Sequence, residues 1–147
     1  YQSIEAASIP VVALPDDSGT LRAIAGRYRD TRGPAHTFSP LNVWDIQINQ
    51  DKEVMFEQPD GWSTALVVLE GSVTVNGESA VQEAQLVVMS HQGEQVHLHA
   101  SSDARVLVLA GEPINEPIVG YGPFVMNSQT EIAEAVRDFN AGRFGQM

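Results

Sequence analysis

The stretch VVLEGSVTVNGE, residues 67–78, decides the fold. An apolar run ends at Gly71, a second run with alternating apolar residues follows, and the pair Asn76-Gly77 closes it. Asn-Gly suits a type I′ turn because both residues tolerate positive φ. The pattern therefore predicts two short β-strands followed by a hairpin turn.

Short apolar runs recur along most of the chain, separated by turn-forming segments such as PDDSG (15–19) and QPDG (58–61). Many short strands between turns are typical of an all-β sandwich or barrel. We therefore predict strands at nine runs: 11–14, 21–28, 43–48, 54–56, 65–69, 73–75, 86–89, 96–98 and 106–109.

The end of the chain changes to a helical pattern. Ser128 and Glu131 have the spacing of a capping box, and the apolar residues after them recur at helical spacing. We predict a helix over about residues 129–141, ended by Gly142 in the left-handed conformation. The predicted organisation is a linker at 1–10, a barrel at 11–127, and a helix with a tail at 128–147.

Length and composition exclude several classes of protein. At 147 residues the chain suits one domain, and its formal net charge of -11 disfavours direct binding to nucleic acids or anionic membranes. The absence of cysteine excludes disulfides and thiolate metal sites. No apolar run approaches the roughly 20 residues that span a bilayer. A cytoplasmic protein that does not bind membranes is expected.

The opening stretch YQSIEAASIP begins with tyrosine and is polar. It is typical of an inter-domain linker rather than a signal peptide. We therefore expect the chain to be one part of a longer protein.

The hairpin at 67–78 resembles that of a cupin barrel, in which the metal form gathers three histidines and a glutamate. Such a nitrogen and oxygen set suits non-haem iron. With the glycine of the first cupin motif at Gly71, the glutamate position falls on Thr64. The second motif, aligned through Gly93, places its histidine position at Val96.

The two remaining histidine positions depend on the spacer length of the first motif. A four-residue spacer places them at Glu57 and Pro59, and a three-residue spacer at Gln58 and Asp60. No histidine occupies a ligand position of either motif. The sequence therefore predicts a barrel that holds no metal.

The other histidines offer an alternative metal site, because His97 and His99 share one face of a strand near His91. Val96 and Leu98 alternate with this pair, and apolar residues normally face the core. We therefore predict that both imidazoles face solvent. His36 is predicted to lie in a loop, and the carboxylates Glu53, Glu57, Asp60 and Glu70 are predicted to form a solvated acidic rim.

Aromatic residues near the altered motif suggest a small-molecule pocket. The predicted lining is Trp44, Phe56, Trp62, Thr64 and Val96. Packing of these side chains in the core is the alternative.

Three segments and the chain ending make the resemblance more specific. GPAHTFSPLNVWDI (33–46), the hairpin, LAGEPINEPIVGYGPFVMNSQTEI (109–132) and AGRFG (141–145) together resemble the C-terminal half of pirins. The resemblance implies a cupin barrel, a double-stranded β-helix or jelly roll, with a C-terminal α-helix.

Pirins are bicupins, whose metal, usually iron, lies in the N-terminal barrel. The resemblance implies a non-catalytic C-terminal barrel without a cofactor, in a parent similar to quercetin 2,3-dioxygenases. The expected partners are the N-terminal cupin barrel, a protein partner or a planar aromatic molecule. Without the other barrel, the chain is expected to expose an apolar patch or to self-associate.

Overall fold

Alternating inward and outward side chains build two β-sheets around one core. The computed structural model describes residues 2–145 and consists mainly of strands, here numbered in chain order. In the larger, antiparallel sheet the strand order is β1 (Val11–Ala13), β2 (Gly19–Ala25), β5 (Leu41–Ile48), β12 (Ala104–Gly111), β7 (Ser63–Glu70) and β10 (Leu86–Val88).

The second sheet has four antiparallel strands. Its order is β6 (Glu53–Glu57), β11 (Gln95–Ala100), β8 (Ser72–Val75) and β9 (Ala80–Gln82). A two-stranded ribbon, β3 (Arg27–Tyr28) and β4 (Thr31–Arg32), follows β2 along the chain.

The inward faces of both sheets form the core, as expected for a jelly roll. Each of the nine predicted apolar runs overlaps a strand, so the all-β prediction is confirmed. The short strands β4 and β9 were not predicted, because two or three residues are too few to show alternation. The largest fully buried side chains are Leu21, Ile46, Ile48, Leu66, Val68, Val73, Leu98, Val106 and Val108.

The hairpin that suggested the fold depends on two turns with positive φ. Asn76 and Gly77 have φ values of 51° and 74°, and Glu78 N–H donates to Val75 C=O at 3.0 Å, as in a type I′ turn. Gly71 has φ 74°, and a Cβ there would collide with the carbonyl oxygen of Asp103. Only glycine therefore suits the bend between β7 and β8.

A buried carboxylate joins three strands of the larger sheet. Asp45 on β5 accepts two hydrogen bonds from Arg105 on β12, at 2.8 Å and 2.7 Å. Arg22 on β2 lies 3.7 Å from the same carboxylate, and Arg105 lies 3.7 Å from Glu70. The hydrogen bond and the charge of Asp45 raise the pKa of Arg105 above its ordinary value. The guanidinium therefore stays charged.

Contacts divide the chain into two compact units, Tyr1–Pro113 and Ile114–Met147. The domain limits predicted at 10/11 and 127/128 stay predictions. Tyr1 of the predicted linker and residues 146 and 147 of the predicted tail lie outside the described residues. Within the linker, the Gln2 side chain exchanges two 2.8 Å hydrogen bonds with the backbone of His36.

The second unit contains a β-hairpin and a helix. The hairpin comprises β13 (Val119–Tyr121) and β14 (Phe124–Met126), two further short strands that were not predicted, and α1 (Gln129–Asn140) packs on it. The helix prediction is confirmed. Ser128 Oγ accepts a hydrogen bond from Glu131 N–H at 3.3 Å, which caps the first turn.

The helix ends in a Schellman motif. Gly142 has φ 69° and donates to the carbonyl of Phe139 at 3.0 Å, while Arg143 N–H donates to the carbonyl of Asp138 at 2.9 Å. Across residues 2–145, no helix has the length and apolar composition needed to span a membrane.

The ion cluster at Asp45 predicts unequal contributions from its two arginines. Arg105→Ala should lower the free energy of unfolding by about 2 kcal/mol, because it leaves a buried carboxylate without its bidentate partner and Arg105 itself is 33% exposed. Arg22→Ala should lower it by less than about 1 kcal/mol. Urea unfolding followed by tryptophan fluorescence measures both, and equal losses would contradict this account.

The capping geometry predicts a local effect in the second unit. Ser128→Ala removes the acceptor for Glu131 N–H and should weaken the first turn of α1 by about 1 kcal/mol. Amide hydrogen exchange in α1 should speed up accordingly. Ser79→Ala is the control, since Ser79 is exposed. Unchanged exchange in Ser128→Ala would rule out a stabilising cap.

Candidate functional site

A cleft of about 840 Å³ lies within the first unit, where β5, β6 and the β3–β4 ribbon meet. Its volume falls in the range of small-molecule sites. The lining combines aromatic rings, three amides, two arginines and two glutamates. The lining residues are Arg27, Tyr28, Arg29, Asn42, Trp44, Met55, Phe56, Glu57, Gln58, Pro59, Trp62, Glu94 and Gln95.

Three aromatic rings in this cleft pack edge to face. Trp44 lies 5.3 Å from Tyr28 and 5.6 Å from Phe56, with interplanar angles of 78° and 82°. Trp44 points inward from β5 and Phe56 inward from β6, so this packing joins the two sheets. The rings are part of the hydrophobic core as well as of the cleft wall.

The predicted pocket residues are divided between the cleft and the core. Trp44, Phe56 and Trp62 line the cleft. Thr64 and Val96 are 6% and 4% exposed and do not line it, because they face inward from β7 and β11. Whether a small molecule binds here stays a prediction.

The direction of side chains on β6 distinguishes the two alignments of the first cupin motif. Val54, Phe56 and Gln58 are buried, whereas the residues between them, Met55 and Glu57, are exposed. A metal ligand must face inward. The three-residue spacer therefore places one ligand position, Gln58, on the inward side and the other, Asp60, at an exposed residue, whereas both positions of the four-residue spacer, Glu57 and Pro59, are exposed.

A chain of hydrogen bonds fixes the orientation of Gln58. Arg27 N–H donates to Asn42 Oδ1 at 3.0 Å, so the amide nitrogen of Asn42 points the other way. That nitrogen donates to Gln58 Oε1 at 2.8 Å. Gln58 therefore presents its oxygen to Asn42 and must direct its Nε2 donor elsewhere.

Gly26 makes room for this amide chain. It has φ 75°, and a Cβ at this position would collide with Asn42 Oδ1 and with the carbonyl oxygen of Leu41. Any other residue would displace the acceptor of the Arg27 N–H group.

Two buried donors of the lining residues remain without an acceptor. Trp44 Nε1 and Gln58 Nε2 have no hydrogen-bond partner within residues 2–145. The two side chains belong to residues that are 2% and 4% exposed. A buried donor without a partner costs about 1–3 kcal/mol, and native proteins contain few of them. Two in one cleft therefore require an explanation.

The sequence did not suggest Asn42, Arg27 or Arg29 as part of a site. Gln58 appeared only as one of two candidate ligand positions. Alternation along β6 was the available signal, since it continues from Phe56 to Gln58. The contact between Asn42 and Gln58 joins positions 16 residues apart and has no signature in the sequence.

The histidines lie outside the cleft. Val96 and Leu98 are buried, while His97 and His99 on the other face of β11 are half-buried rather than fully exposed. His97 Nε2 lies 3.2 Å from Glu53 Oε2. His91 and His36 are exposed. In the part of the chain that the structure describes, no three His, Asp or Glu side chains are grouped to hold a metal.

The donors at the motif positions do not fit an iron site. Gln58 is a neutral amide bonded to Asn42, and Asp60 Oδ1 accepts a 2.8 Å hydrogen bond from Gly93 N–H. Thr64 and Val96 supply a hydroxyl and an aliphatic group. Non-haem iron prefers imidazole and carboxylate ligands with open positions. No metal-dependent step follows from these residues.

The four carboxylates of the predicted acidic rim are all exposed. Glu53 contacts His97, Glu70 lies near Arg105, and Asp60 holds the Gly93 turn. Glu57 lines the cleft but has no hydrogen-bonded basic partner among residues 2–145. Of these four carboxylates, only Glu53 contacts a histidine, and neither Glu53 nor His97 lines the cleft.

Comparison with known proteins identifies a family. Residues 43–145 match the Pirin C-terminal cupin domain family. A Pseudomonas aeruginosa protein named "Putative quercetin 2,3-dioxygenase" is 49% identical over 144 residues, covering 98% of this chain and 50% of that protein. Rat pirin is 30% identical over 149 residues, covering 99% of this chain and 50% of pirin.

A solved structure extends the likeness to three dimensions. The crystal structure of quercetin 2,3-dioxygenase from Acinetobacter baumannii is 48% identical, with a TM-score of 0.91 over 99% of this chain and 51% of that one. The chain thus spans about half the length of the relatives it matches. By its sequence match and its jelly-roll fold, the chain belongs to the pirin C-terminal cupin domain family.

Proposed function

We propose that this chain is the non-catalytic C-terminal barrel of a bicupin, and that it docks on the other barrel through the outer face of its six-stranded sheet. The substituted motif positions support the non-catalytic role. The match to half of each longer relative supports the presence of a second barrel. A cytoplasmic location, compatible with a chain that has no cysteine, belongs to the same proposal.

The main support for this proposal is the outer face of the six-stranded sheet, here called the outer sheet face. It is an apolar surface formed by outward residues of four adjacent strands. In one row across the sheet, Leu109 pairs with Val43 and Ala65, and Ala65 pairs with Val88; in the next, Val67 pairs with Leu107 and Leu86. The outer sheet face therefore comprises Val43, Ala65, Val67, Leu86, Val88, Leu107 and Leu109.

The exposure of this face is greatest at the sheet edge. Val88 and Leu86 are 73% and 59% exposed, and Leu109 is 38% exposed. Contiguous exposed apolar surface usually marks an interaction site. The charged cluster of Asp45 and Arg105 borders it, as a polar rim borders an apolar interface centre.

The other barrel of the same protein is the occupant that we propose. The relatives that this chain matches are about twice its length, so a second domain of similar size is available. Two domains in one chain have a high effective concentration and pair readily through a modest apolar surface.

Lysine substitutions on the outer sheet face should prevent docking. The partner would be the half of the Pseudomonas aeruginosa relative that this chain does not match, supplied as a separate chain. Leu86→Lys with Val88→Lys should weaken the complex by at least about tenfold, because two charges would be buried without partners. Light scattering and titration calorimetry measure the stoichiometry and affinity.

Phe38→Lys is the matched control, since Phe38 is 99% exposed and lies between β4 and β5 rather than among the residues of this face. It should bind like the unsubstituted chain. Equal binding by the double variant would overturn the proposed docking. A homodimer of this chain disrupted by the same two lysines would instead assign the face to a second copy.

A second candidate function is half of a quercetin 2,3-dioxygenase-type iron enzyme whose metal lies in the other barrel. The names of the Pseudomonas and Acinetobacter relatives favour it. In that case this chain would stabilise the two-barrel enzyme and would supply no ligand to its metal.

Metal reconstitution separates the roles of the two halves. After chelation and iron loading, this chain should hold well below one metal per molecule, because its motif positions carry no imidazole but an amide, a hydroxyl, an aliphatic group and a carboxylate that is bonded to Gly93 N–H. It should not consume quercetin in the presence of oxygen. Elemental analysis and oxygen uptake provide the measurements. Stoichiometric iron or quercetin loss with this chain alone would contradict the non-catalytic assignment.

A further inference from the structure

Two unpartnered buried donors belong to residues that line the cleft. Trp44 Nε1 and Gln58 Nε2 can only donate, and each lacks an acceptor in the described part of the chain. Gln58 cannot relieve this by exchanging its oxygen and nitrogen, because Asn42 Nδ2 already requires the oxygen. The cleft therefore favours a ligand that brings acceptor atoms.

Two arginines add positive charge at the same cleft. Arg27 and Arg29 are exposed lining residues on either side of Tyr28. Neither forms an ion pair within residues 2–145, and the Arg29 guanidinium lies 5.3 Å from the centre of the Tyr28 ring. Glu57 and Glu94 balance the formal charge of the cleft lining, but they form no ion pair with the two arginines among residues 2–145, so the guanidinium donors are available to an anionic group of a ligand.

The remaining wall is aromatic. Tyr28, Trp44, Phe56 and Trp62 contribute rings to the cleft. Such rings favour a flat apolar ligand through offset and edge-to-face packing. Glu57 and Glu94 also line the cleft and disfavour a ligand with several negative charges.

We propose that this cleft binds a planar aromatic carboxylate, with its ring on the aromatic wall and its carboxylate shared between the Arg27 and Arg29 guanidinium groups and the N–H donors of Trp44 and Gln58. Gln58 stands at a histidine position of the first cupin motif when that motif is aligned with the three-residue spacer. It does not depend on docking to another barrel, since the outer sheet face uses different residues.

The structure also predicts how such a ligand enters. Both N–H groups are covered in the present arrangement, so a carboxylate oxygen reaches them only when side chains of the wall rotate. Arg29 is exposed and Trp62 is half-buried, and both can rotate more freely than the buried rings. Binding is therefore expected to change the environment of both tryptophans.

Proton–nitrogen NMR of the 147-residue chain tests this directly, because both tryptophans of the chain line the cleft. The probe is 2-naphthoate, compared with the neutral 2-naphthalenemethanol and with acetate. Naphthoate should shift the Trp44 indole and Gln58 amide signals downfield and saturate. The two comparison compounds should bind at least about tenfold more weakly, since each lacks one recognition element.

Substitutions assign the binding to the cleft. Gln58→Glu keeps an oxygen for Asn42 but replaces the donor with a negative charge, and should weaken naphthoate binding by at least about tenfold. Arg27→Gln with Arg29→Gln should weaken it by about fivefold or more. Arg32→Gln is the matched control, because Arg32 is exposed and does not line the cleft.

Three results would overturn the proposal. They are the absence of saturable naphthoate shifts, equal binding of 2-naphthalenemethanol, and unchanged affinity in the double arginine variant. The arginines are exposed, so their variants test the proposal even if Gln58→Glu fails to fold. Failure here would leave the docking result on the outer sheet face unaffected, so the two proposals are distinguishable.

Discussion

Packing of the inward faces of the two sheets against each other is the constraint on which the structure depends. Along β5, β7 and β12 every second residue is buried in one continuous core. Since alternation has a period of two, filling the inner face also determines which residues face outward. The strand registers that place the core residues inward therefore also place the apolar residues of the outer sheet face outward.

Alternation along the strands also places some polar side chains on the inward side, where hydrogen bonds must compensate for their loss of contact with water. Gln58 follows Phe56 on the inward side of β6, and Asn42 precedes Trp44 on β5. Their mutual hydrogen bond satisfies only part of the two amides. Asp45, in contrast, points away from the core and is fully paired with Arg105. Hydrogen bonds thus compensate the desolvation of Asp45 in the ion cluster, whereas the donor of Gln58 in the cleft has no such compensation.

Local patterns in the sequence predicted most of the fold. Alternation identified the long strands, Asn76-Gly77 identified a turn, and Ser128 with Gly142 marked the ends of α1. These features depend on residues close together in the chain. The expectation of an exposed apolar patch agrees with the outer sheet face, although its partner stays a proposal.

The candidate site could be predicted only in part, because its key contacts join distant segments. Aromatic composition pointed to Trp44, Phe56 and Trp62, but not to which inward positions reach the cleft. Thr64 and Val96 face inward as well and are covered by the core. The pairing of Arg27 with Asn42 arises from sheet topology, which no local pattern encodes.

Gly26 affects the geometry of the cleft although it is not one of the lining residues. Gly26 has no side chain to offer a ligand, yet its bare Cα leaves the space that Asn42 Oδ1 occupies. Two relatives with identical cleft walls could therefore differ in ligand preference through this position alone. Comparing specificity across the family thus requires the backbone geometry of the ribbon as well as the identity of the wall residues.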